Sequence, residues 1–244
     1  NGADKGTNGT YNLNASGNWW GSSVPATVAT TVGGGIDYTP WLNVGTNSAS
    51  PTGFAGDFSN LWVDDNSPQT GATGRIQEGI DMVTASTVNV VAGSYPGDVL
   101  LNKSVELKGA QYGVAVSGRT AGDASESTVT GLITVDFSDV EIDGFTLTNP
   151  GQTNAVYVKP YSPSHSDITI NHNIVDNVGG PTQTPNVHAI LVYQGPDSVT
   201  IAHNRFNNIK SGAYSLSAIG VLDTASTDPS TDVVIDDNTF SDIA

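Results

Sequence analysis

Apolar and polar residues follow one template in the last third of the chain. ITINHNIVDNV from Ile168, VTIAHNRFNNI from Val199 and VVIDDNTFSDI from Val233 are its copies, and VEIDGFTLTN from Val140 is a looser one. Their starts lie 28, 31 and 34 residues apart. In the three closer copies, two apolar residues two apart (Ile168 and Ile170, Val199 and Ile201, Val233 and Ile235) lead to Asn173, Asn204 or Asn238. An apolar residue follows that Asn by two positions, an Asn or Asp by four and another apolar residue by five. Alternation of this kind predicts short strands with one buried face. A repeat of this size predicts a solenoid, because one unit cannot bury its own apolar face and must stack on its neighbours.

A further strand recurs between the copies, at AVYV from Ala155, AILVY from Ala189 and AIGVL from Ala218. Three short strands per repeat make one turn of a parallel β-helix. Upstream, TVNVV, VLL, VELKG and LITV carry the pattern back to Thr87, for about six coils in all. Asn173, Asn204 and Asn238 occupy one place in successive turns. Asn tolerates the left-handed backbone that a sharp bend needs. Stacked about 4.8 Å apart, the three side chains are expected to bond one another as a structural ladder.

This template resembles the parallel β-helix repeat of the pectin-lyase-like superfamily. The resemblance covers residues 76–244 and implies an all-β fold, a right-handed parallel β-helix with a short N-terminal capping helix. GRIQEGIDMVTA, from Gly74 to Ala85, has helical spacing at Ile76, Ile80 and Val83, with Thr73 as its expected cap. A helix followed by TVNVVAGSYPGDVLLNKSVELKGA is similar to the start of many extracellular β-helices, where it blocks the exposed edge of the first rung. The expected organisation is therefore a closing segment at 1–42, a linker at 43–73 rich in Gly, Ser, Pro, Asn and Asp, and the β-helix at 74–244.

Residues 1–42 hold three of the four tryptophans, Trp19, Trp20 and Trp41, within GNWWGSSVP and GGGIDYTPWL. This pattern looks like the segment that closes the far end of β-helices in large bacterial and archaeal surface proteins. Here it precedes the helix it should close, and the sequence reads on sensibly from Ala244 into Asn1. The expectation is that residues 1–42 complete the C-terminal end of a neighbouring subunit. The interface would hold Tyr11, Leu13, Trp19, Trp20 and Trp41 on one side, and Val233, Ile235, Phe240 and Ile243 on the other. Fold-back onto the chain's own tail is the alternative.

Composition narrows the partners. The net charge is −16, from 24 acidic and 8 basic residues, so the surface repels phosphate backbones and nucleic acid is not an expected partner. There is no cysteine, which excludes disulfides and thiolate metal sites. No apolar run approaches the roughly 20 residues of a membrane span.

Candidate chemistry is sparse. The column Gly144, His172, His203, Asp237 stacks two imidazoles and a carboxylate that could share a metal ion, although polar residues are expected at such a bend anyway. Aspartates of the last loop and strand (Asp223, Asp228, Asp232, Asp236, Asp237, Asp242) could hold Ca²⁺, but no calcium-loop spacing is present. Tyr157, Tyr161, Tyr193 and Tyr214 could line a sugar-stacking groove. No outward column of the repeat alignment yields a pair of carboxylates on adjacent rungs facing a base, so a lyase or hydrolase signature is not expected in the regular sheets, although loops could supply one. An enzyme is the lesser expectation, and no cofactor is expected. The leading expectation is a structural subunit or repeat of an extracellular fibre or surface adhesin, a head-to-tail homopolymer assembled by β-helix completion. The alternative is a carbohydrate-binding or polysaccharide-cleaving β-helix domain.

Overall fold

The repeats close into one parallel β-helix of about six turns. The computed structural model describes residues 13–49, 53–84, 86–160, 165–182, 185–212, 215–223 and 229–244. Three sheets of eight, six and five strands run along the solenoid. The eight-stranded sheet carries the first half of each repeat: Val105, Val140, Ile168 and Val199 are register partners, as are Leu107, Ile142, Ile170 and Ile201. The six-stranded sheet carries the half after the Asn, and places Val175, Phe206 and Phe240 in one column. In the five-stranded sheet, Val99, Ile133, Val156, Ile190 and Ile219 align.

Period-two alternation sends these residues inward, and those from Val99 to Ile209 are almost completely buried. Burying one such aliphatic side chain contributes about 1.5–3 kcal/mol, and every middle turn buries several on both neighbours. Thus the stack coheres without disulfides.

Each turn bends at left-handed residues that themselves form columns. One column is Gly144, His172, His203 and Asp237, with φ of 84°, 49°, 55° and 49°. A second is Asp139, Asp167, Ser198 and Asp232, and a third is Asn177, Asn208 and Asp242. Asn, Asp, His and Gly adopt this conformation most readily, which explains the polar punctuation of the repeat. The expectation that Asn173, Asn204 and Asn238 make the bend is corrected here. The residue before each one turns the chain, which frees the Asn side chain to point into the core. Gly144 is required for a second reason: a Cβ there would run into the backbone of Gln111 and Tyr112.

The N-terminal end is plugged. Helix α1 (Pro25–Thr31), unmarked by any periodicity, starts at a Pro and buries Val28 against Tyr38 and Trp41. Helix α2 (Arg75–Met82) buries Ile76, Gly79 and Ile80. Its N-cap is Gly74, with no side-chain cap, rather than Thr73. Gly79 lets α2 sit close on the first coil, where a Cβ would lie 2.8 Å from Val63 and 3.0 Å from Val88. Within the stretch expected to be a linker, Asn60–Val63 forms a rung of the eight-stranded sheet, parallel to Thr87–Val90. Trp41–Leu42 then closes that edge in antiparallel fashion. The other two edges are closed by side chains. The Gln77 amide bonds both the N–H and the C=O of Leu100, and Asp65 accepts the N–H of Ser94.

Candidate functional site

The asparagine ladder is continuous and directional. Asn173 and Asn204 are completely buried. The Oδ1 of Asn204 accepts from the backbone N–H of Asn173 at 2.9 Å and from its Nδ2 at 3.1 Å. The Oδ1 of Asn238 accepts in the same way from Asn204, at 3.0 and 3.1 Å. Each Nδ2 donates back to the preceding rung: Asn173 to Ile142, Asn204 to Ile170 and Asn238 to Ile201. Within the looser repeat the Phe145 N–H donates to the Oδ1 of Asn173 at 3.0 Å.

The metal column does not converge. The rings of His172 and His203 stack at 5.3 Å with an interplanar angle of 17°, so their nitrogens point side by side rather than at one ion. The Nδ1 of His172 lies 2.9 Å from Asp143, while Asp237 is 3.6 Å from His203. Among the described residues no group of three or more His, Asp or Glu is placed to hold a metal ion.

A mixed acidic and basic cluster on the outer face of the eight-stranded sheet corrects the expectation that no carboxylate pair faces a base. Glu106 and Glu141 are register partners on adjacent rungs, and so are Lys108 and Asp143. Lys108 Nζ is 2.7 Å from Glu106 and 4.6 Å from the Tyr112 ring centroid. Thr87 donates to Glu106 as well, at 3.0 Å. These neighbours hold the two carboxyls apart. The Lys108 hydrogen bond pulls Glu106 below the usual carboxylate range. Burial, with the charges of Asp143 and Glu106, pushes Glu141 above it. Both glutamates line a shallow groove of about 370 Å³ with Ser86, Ser104, Asp139, Asp167 and Thr169.

Residues 110–126 leave the coil and run along its side as a strap. Arg119 and Glu126 brace it internally through an ion pair whose side chains are 6 % and 0 % exposed, and Arg119 ties it to the coil through the carbonyls of Phe145 and His172. Arg205 holds it from above, donating to the carbonyls of Val116 and Arg119 at 3.0 and 2.8 Å. None of these contacts has a periodic signature in the sequence.

The remaining expected residues are scattered. Tyr157 and Tyr193 meet in a tilted pair at 6.4 Å, while Tyr11, Tyr161, Tyr214 and Asp228 lie outside the described residues. Trp41 is completely buried, stacked on Trp62 at 6.2 Å; Trp19 and Trp20 are half-buried at the same end. The described part of 1–42 thus packs on the N-terminal end of its own chain, and Leu13 is exposed there. At the other end, Ile235 and Phe240 are 48 % and 52 % exposed, whereas their register partners Ile201 and Phe206 are fully buried. Val233 and Ile243 pack only partly against the core.

Comparison with protein-family models, with curated proteins and with solved structures finds no match to this chain. Among the described residues no helix is long and apolar enough to cross a membrane.

Proposed function

We propose that this protein is a structural module of an extracellular fibre or cell-surface adhesin, extended at its C-terminal end by a further β-helical coil. The observation that carries the reading is the contrast between the two ends. The N-terminal rung is plugged on all three sheets, while the last rung presents Val234, Ile235 and Phe240 to solvent. Bare strand edges bearing apolar side chains favour association. A head-to-tail homopolymer is the version in which a second copy supplies the coil. Residues 1–42 would then exchange their own cap, with Trp41 inside it, for a neighbour's tail. Donor and acceptor surfaces differ, so such a contact is heterologous and builds a fibre.

Size exclusion and negative-stain microscopy test this. The expected result is rods of repeating length whose formation Ile235→Asp abolishes. Monomers at every concentration, with Ile235→Asp changing nothing, would overturn the proposal.

One observation favours a second reading, polysaccharide cleavage at the Glu106–Glu141 face. Two carboxyls driven apart in proton affinity are what acid–base chemistry on a glycosidic bond requires. Glu141 would act as the acid and Glu106 as the base. Activity would fall as pH rises past the raised value of Glu141, and also as pH falls past the depressed value of Glu106. The expected outcome is that Glu141→Gln and Glu106→Gln each abolish release of reducing ends from neutral or acidic polysaccharides. No product from the unaltered protein would sink this reading.

A further inference from the structure

Given the extension of the last rung proposed above, on which this inference rests, the ladder's direction specifies what that rung can accept. In every junction the asparagine of the later rung does two things. Its Oδ1 accepts the backbone N–H of the earlier rung's ladder residue, as Asn173 does from Phe145 at 3.0 Å, Asn204 from Asn173 at 2.9 Å and Asn238 from Asn204 at 3.0 Å. Its Nδ2 donates to the carbonyl three residues before that site, as with Ile142, Ile170 and Ile201. At the last rung both groups of the next socket are present and unfilled. The backbone N–H of Asn238 and the carbonyl of Ile235 have no hydrogen-bond partner among the described residues. Asn238 Nδ2, already turned to Ile201, stands beside them as the second donor to an incoming oxygen, as Asn204 Nδ2 stands toward Asn238 at 3.1 Å.

We infer that the partner of the last rung is a coil that adds in parallel register and brings an asparagine into this socket. An incoming Oδ1 would take the Asn238 N–H, and its Nδ2 would reach Ile235 O. Among side chains of this length only an amide offers both an acceptor and a donor. Aspartate accepts but would set its second oxygen against the Ile235 carbonyl. Leucine fills the volume and leaves both backbone groups buried without partners. The residues flanking the asparagine follow from the same register. An apolar residue three positions before it covers Ile235, and one two positions after it covers Phe240, as Phe240 itself stacks on Phe206 at 5.2 Å. The partner is thus a segment free to form a coil, with the spacing apolar-x-x-Asn-x-apolar. A second copy qualifies only with its head opened, because its folded first rung is already closed by Trp41–Leu42, Gln77 and Asp65.

Synthetic peptides spanning residues 199–212 of this chain provide the probe, carrying Asn204, Asn204→Asp or Asn204→Leu, added to the 244-residue chain. Binding is read by titration calorimetry, and its place by hydrogen exchange at the Asn238 amide. The expected result is protection of that amide by the unaltered peptide, with affinity at least tenfold above either variant. Equal affinity for all three peptides would overturn the asparagine requirement alone. No protection at 234–243 by any peptide at millimolar concentration would overturn both this inference and the proposal that the last rung is an acceptor.

Discussion

Replacing Asn204 by alanine is expected to lower the unfolding free energy by about 3 kcal/mol, because each buried polar group left without a partner costs about 1–3 kcal/mol. Asn204 is completely buried in the middle of the ladder. Its Oδ1 serves two donors of Asn173, and its Nδ2 serves the carbonyls of Ile170 and Ala202. Alanine removes both ends at once, and the hole it leaves is too deep for water to enter freely. The comparison that isolates the ladder is Asn238→Ala, at the part-exposed last rung, where water can replace the lost partners. That variant should cost about 1 kcal/mol, near the net worth of an ordinary hydrogen bond. Urea denaturation of both variants checks the difference. Equal losses at the two sites would mean that the ladder contributes nothing beyond local turn geometry.

The ladder was legible in the sequence because its period is fixed and its residues are chemically unusual for a core. Asparagine between apolar neighbours is costly to bury alone, and three in register can satisfy one another. What the sequence left open was which residue bends the chain. Both the asparagine and the residue before it are types that tolerate φ > 0, and spacing alone does not separate them. The structure assigns the bend to His172, His203 and Asp237, because an inward Asn side chain can bridge two rungs and an outward one cannot.

The carboxylate pair was missed for a different reason. Columns aligned from Val140 onward stop one rung short of Glu106. The coil that carries it is joined to the next by 35 residues, counted from Val105 to its register partner Val140, because the strap at 110–126 is inserted between them. Similarly, Asn60–Val63 is a strand of only four residues set among turn-forming ones, and its partner Thr87–Val90 lies beyond a whole helix. Periodicity reveals an element when copies are adjacent. It fails where one coil is lengthened by an excursion, and the outer face of this solenoid is shaped by such excursions.

The strap itself supplies the other large effect. Arg119→Met is expected to destabilise the fold by about 3–5 kcal/mol, the usual cost of breaking a buried ion pair from one side. The guanidinium donates to both carboxylate oxygens of Glu126, at 2.9 and 2.7 Å, and also to the carbonyls of Val114, Phe145 and His172. Those last two contacts reach 26 and 53 residues along the sequence, so one side chain ties the strap to successive coils. Methionine would fill much of the space but leave the Glu126 carboxylate fully buried without its counter-ion, with Thr146 at 3.0 Å its remaining side-chain partner among the described residues. The double variant Arg119→Met with Glu126→Leu removes the stranded charge, and should recover most of the loss, since apolar replacement of a buried pair is often neutral or better. Arg205→Met takes away donors to two carbonyls but strands no charge, so its cost should stay well below that of Arg119→Met. Urea midpoints rank the variants, and limited proteolysis within 110–126 shows whether the strap has come away. If the double variant is as unstable as Arg119→Met alone, the stranded carboxylate is not the cause. The bonds to the coil carbonyls would then carry the strap, and Arg119→Lys, which keeps the charge but not the fork, would be as damaging as Met.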